Sequence, residues 1–113
     1  MLYLLKRRMA MKIIEKLSEY IDEEISDAMK YAKCALVYKD ENPVLADMFI
    51  RLSEEEMKHM MTLHNQVVSL IDDYKRKNGE PPEAMKAVYD ILHKRHIDKA
   101  AEAKAAISMF KGV

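Results

Sequence analysis

Residues 45–70, LADMFIRLSEEEMKHMMTLHNQVVSL, decide how this chain is read. Positions 45, 49, 52, 56, 59, 63, 67 and 70 follow the alternating three–four step of a helix that buries one face. Leu45, Phe49, Leu52, Leu63, Val67 and Leu70 suit such a face, and Glu56 and His59 interrupt it. A carboxylate taken out of water without a partner is costly, so these two side chains must meet something. A Glu-x-x-His pair inside a helical bundle is a recurrent way of holding iron or manganese. A metal site is the leading reading of the stretch.

Two punctuation marks flank this helix. Asp40-Glu41-Asn42-Pro43 offers a capping side chain followed by proline at the first helical position. Asn78-Gly79-Glu80-Pro81-Pro82 supplies glycine to end one helix and prolines to delay the next. They divide the chain into helices over residues 12–40, 43–77 and 83–110, with residues 1–11 as a frayed lead-in. No strand-like alternation is present. The expected fold is all-α, a long antiparallel helical hairpin plus a third helix, in one domain over residues 1–113.

Composition agrees. Half of the residues are hydrophobic, with two Gly and three Pro in 113, a balance that favours helix and suits one small domain. Nineteen basic residues offset nineteen acidic ones, which argues against nucleic acid as a partner. A single cysteine, Cys34, excludes an internal disulfide and a four-cysteine metal centre, and it fits a reduced, cytoplasmic setting. The apolar run Leu2-Tyr3-Leu4-Leu5 precedes Lys6-Arg7-Arg8, the wrong order for a signal peptide, and it is too short for a span. No membrane partner is expected.

The first helix carries its own anomaly. Leu17, Tyr20, Ile21, Ala28, Tyr31 and Ala35 mark its apolar stripe; Glu24 falls in the middle and Asp27 at the edge. In a tight antiparallel hairpin turning between Glu41 and Asn42, level residues have numbers totalling roughly 83. Glu24 is then level with His59 and within roughly 5 Å of Glu56 along the axis. Three polar intruders at one height are harder to ascribe to satisfied core polarity than any one alone.

Ligand counting sharpens this. Di-iron carboxylate bundles take one Glu from each of two helices and a Glu-x-x-His from each of the other two. This chain supplies half of that set, and a twofold dimer duplicates it across its axis. The expected unit is a homodimer, or a larger ring of such dimers, completing a four-helix bundle with two Fe ions per dimer; Mn or Zn are alternatives. In the third helix the stripe Met85, Tyr89, Leu92, His96, Ala100, Ala103, Ile107 and Phe110 turns His96 inward. Folded back along the second helix, it would bring Glu102 to the height of the site with His96 about 9 Å away. Both are reserve ligands, and their plainer role is packing or subunit contact. His64, off the ligand face, reads as surface or interface.

The segments Glu24-Ile-Ser-Asp-Ala-Met-Lys-Tyr31 and Glu56-Met-Lys-His59 resemble the first half of the ferritin-like superfamily, rubrerythrins in particular, over about residues 13–77. The shortened plan is similar to encapsulated ferritins. The resemblance implies that Glu24, Glu56 and His59 ligate a di-iron ferroxidase centre between two subunits. It puts Tyr31 nearby, as a hydrogen-bonding or redox neighbour. It implies Fe(II) oxidation by O2 or peroxide, in iron storage or detoxification. Rubrerythrin's cysteine-rich electron-transfer domain is absent. The resemblance admits an encapsulin shell as a partner, but Met109-Phe110-Lys111-Gly112-Val113 shows no clear targeting tail. Two other readings stay open: a divalent-metal protein without turnover, and a non-catalytic helical interaction module.

Overall fold

The computed structural model describes residues 2–113, Tyr3 by its backbone alone. Three helices make up the chain: α1 (Leu2–Tyr38), α2 (Pro43–Asn78) and α3 (Glu83–Lys111). No glycine or proline interrupts the 37 residues of α1. The expected lead-in is therefore already helix from Leu2, and the start at residue 12 is corrected by ten residues. Met1 lies outside the described residues. The punctuation acts as read. Asn42 caps α2, its side-chain oxygen accepting from the Leu45 N–H at 3.2 Å, with Pro43 in the first turn. Gly79 ends α2 at φ 80°, a conformation that suits glycine, and donates its N–H to the Lys75 carbonyl at 2.9 Å.

The α1–α2 hairpin is antiparallel and gives the molecule its length, with extents of 61 × 18 × 17 Å. Its inner seam runs through Ile14, Ser18, Ile21, Ile25, Ala28, Ala32 and Ala35 on α1. On α2 it runs through Ala46, Ile50, Ser53, Met60, Val67 and Tyr74. Ile21, Ala28, Ala35 and Val67 lie in the seam as expected, and the other expected positions are corrected, most of them by one residue. Leu17, Glu24 and Tyr31 on α1, and Leu45, Phe49, Leu52, Glu56 and Leu63 on α2, are half-buried on a neighbouring face. The cause is size. Alanine and serine line the upper seam, which lets the two backbones approach, and the bulkier side chains are displaced to the flank. Where Ala28 meets Ser53, the Ser53 hydroxyl donates across the hairpin to the Ala28 carbonyl at 2.6 Å, and both residues are buried.

α3 runs back towards the hairpin turn but lies mainly against α1 and touches α2 least. Met85, His96, Ala100, Ala103 and Ala106 are buried; Tyr89, Leu92, Ile107 and Phe110 are half-buried, close to the expected stripe. Ala100 and Ala103 join Ile14, Ile21, Ile25, Ala28, Met60 and Val67 in one core. Near the turn, Lys111 pairs with Glu54 at 2.8 Å and Lys39 donates to the Phe110 carbonyl at 2.7 Å.

Candidate metal centre

Glu24 on α1 and Glu56 and His59 on α2 come together about one helical turn from the Ala28–Ser53 contact. That contact sets the helix spacing, and the register of the hairpin sets the height. Each of the three contributes one donor atom, and these atoms all lie within 4.8 Å of one another. His59 Nδ1 is 3.6 Å from Glu24 Oε2 and 3.7 Å from Glu56 Oε2. Both separations exceed a normal hydrogen bond. They fall close to the roughly 3.0–3.5 Å expected between atoms that each sit about 2.1 Å from a shared first-row cation.

The environment is a half-open flank rather than the interior. The side chains of Glu24 and Glu56 are 25% and 19% exposed, and that of His59 is 60% exposed. This corrects the fully buried setting expected from periodicity. Even so, Glu24 Oε2 is shielded from solvent and accepts no hydrogen bond. A desolvated carboxylate oxygen without a donor carries an uncompensated cost. A divalent cation held between the three groups would remove it. Two carboxylates and an imidazole form a donor set for Fe, Mn or Zn rather than for a soft ion. The residues fit the metal that the sequence implied.

The remaining candidates are elsewhere. Tyr31 is half-buried with its ring stacked on Phe49 at 6.3 Å, two turns along α1 from Glu24. His96 is buried on the opposite side of the hairpin, its Nε2 3.2 Å from Asp22 Oδ1. Glu102 is exposed and borders a cleft with Asp22, Lys30, Lys33 and Lys99. Neither His96 nor Glu102 joins the group formed by Glu24, Glu56 and His59. His64 is half-buried against α3, stacked on His93 at 5.1 Å, and His93 also stacks with Tyr89 at 5.4 Å.

Burial holds the His64 imidazole below its ordinary value near 6.5, and neighbouring His93 adds to the effect. Burial also lowers His96, against the opposing pull of the Asp22 carboxylate. Asp22 had no sequence signal. It sits two residues from Glu24, on the far flank of α1, and its partners Arg95, His96 and Lys99 all come from α3. Only the packing of α3 brings them together.

No family model matches the chain, and it matches no curated protein and no solved structure.

Proposed function

We propose that this chain is a ferritin-like di-iron protein whose homodimer oxidises Fe(II) at a site assembled from Glu24, Glu56 and His59 of both subunits. The observation that carries the reading is the convergence of these three donors from two helices onto an open flank. Glu24 and Asp22 project from opposite sides of α1, and Asp22 faces α3. The third helix therefore leaves the donor side of the hairpin free. Three donors from one chain do not complete a coordination shell, and a twofold partner doubles them to four carboxylates and two imidazoles.

Fe(II) is the substrate. Two ions surrender one electron each, and O2 takes up both electrons and two protons to give H2O2. The chain's own groups bind and bias. Glu24 and Glu56 supply negative charge and hard oxygen donors, which favour the Fe(III) product. His59 supplies an imidazole nitrogen as the third donor. The Ser53–Ala28 contact keeps the donors on α1 and α2 in register. A cytoplasmic setting supplies the substrate in its reduced form.

Anaerobic loading with Fe(II) followed by admission of O2 tests the reading. Oxygen consumption is expected in step with Fe(II) and is lost in Glu56→Ala and His59→Ala. Binding of Fe(II), Mn(II) or Zn(II) with no oxygen uptake would make this a metal-binding protein without turnover. Absence of metal binding, with both variants as dimeric as the parent, would leave a helical interaction module.

A further inference from the structure

The amino-terminal stretch of α1 has a feature that the iron site does not use. Leu2, Leu5, Met9 and Ile13 are spaced by three and four residues, so they form one stripe. All four point to solvent, at 66%, 54%, 56% and 43% exposure. On the other face of the same stretch Ala10 and Met11 are half-buried and Ile14 is buried, with Leu4 exposed at its end. Single exposed apolar side chains are ordinary, but a contiguous apolar stripe on a helix marks a contact surface.

Its borders are basic. Lys6 flanks the stripe on one side and Arg8 and Lys12 on the other, all exposed. Together with Arg7, residues 2–13 hold four basic side chains and no acidic one. This charge selects the occupant. A second copy docked through the same patch would set Lys and Arg against Lys and Arg. A nucleic acid would answer the charge and leave Leu2, Leu5 and Met9 in water. An anionic lipid surface answers both, with acyl chains for the stripe and headgroups for the flanking cations. No described helix is long and apolar enough to cross a membrane, so the contact is one of lying on the surface.

We propose that residues 2–13 dock the protein onto anionic lipid membranes, with Leu2, Leu5, Met9 and Ile13 entering the interface and Lys6, Arg8 and Lys12 at the headgroups. The proposal departs from the expectation of no membrane partner. It arises because the segment expected to fray is instead a continuous extension of α1.

Co-sedimentation of the full chain with vesicles tests it, using phosphatidylcholine alone and phosphatidylcholine mixed with phosphatidylglycerol. The mixed vesicles are expected to bind about tenfold more tightly or better, and salt should weaken the binding. Leu5→Glu combined with Met9→Glu should abolish binding, with helix content by circular dichroism unchanged because both sites are exposed. Glu56→Ala should bind vesicles like the parent, which keeps this proposal separate from the iron site. Equal binding to both vesicle types, no binding, or binding that survives the double substitution overturns it. So does a double variant that changes solution mass and leaves vesicle binding intact, since the stripe would then join copies of the chain.

Discussion

The hairpin has two unlike flanks. On the α3 side, Ala100 and Ala103 of α3 close a core of Ile14, Ile21, Ile25, Ala28, Met60 and Val67, and Asp22 is engaged by Arg95, His96 and Lys99. On the other, large side chains stand half-exposed: Leu17, Tyr31, Phe49 and Leu63, with Tyr20 and Tyr38 more open still. Among them sit the three convergent donors. The difference separates stability from chemistry. The packed seam fixes where the helices lie, and the open flank displays what that placement brings together. Half-covered apolar side chains beside a carboxylate oxygen without a donor are the features on which the proposed dimer rests.

The largest effect expected is on the packed side. Ile21→Ala removes a side chain that is 1% exposed at the centre of the core, and should cost about 2–5 kcal/mol in urea unfolding. A cost below about 1 kcal/mol would show that the seam does not carry the fold. On the open side the effect on the metal-free protein should be small. Glu24→Ala leaves the metal-free protein within about 1 kcal/mol of the parent, because that carboxylate gains no hydrogen bond there. What it removes is metal-dependent stabilisation, about 2.7 kcal/mol for a metal at 100 times its dissociation constant. Thermal unfolding with and without Mn(II) checks this.

Ser53→Ala, which deletes the hydroxyl bonded to the Ala28 carbonyl, should cost about 1 kcal/mol by the same unfolding measurement. It should also loosen metal affinity, because it acts on the spacing of the two donor helices. A variant that unfolds more easily yet binds metal unchanged would break the link between the flanks. The mildest effect is with pH. The His64 and His96 values lie below 6.5 in the folded protein. The unfolded chain therefore binds more protons as the pH falls, so stability is full above roughly 6.5 and declines below it. The urea midpoint should be lower at pH about 5.5 than at about 7.5, and His64→Phe should narrow the gap.

The fold was legible wherever the signal is local. Asn42 beside Pro43 and the Gly79–Pro82 break are read from cap and turn chemistry, and both helix ends fall within two residues of expectation. The height of Glu24 relative to Glu56 and His59 followed from chain geometry alone. The face did not. Periodicity weights large apolar residues, so Leu45, Phe49 and Leu52 drew the stripe to their own flank, and the true seam of Ala46, Ile50 and Ser53 lay one position on. Hydrophobicity cannot see that close helix approach selects for alanine and serine. The side of the hairpin taken by α3 was illegible for a related reason. It depends on tertiary pairs such as Arg95 with Asp22, separated by 73 positions.

Solution mass measured alongside metal stoichiometry tests the central claim most directly. Sedimentation of the chain with increasing Fe(II) under anaerobic conditions, or with Mn(II), should give a species of two chains holding about one metal per chain. Glu24→Ala and His59→Ala should lose the metal. Metal bound by a single chain with no dimer, or a dimer whose metal content is indifferent to Glu24→Ala, would contradict the account.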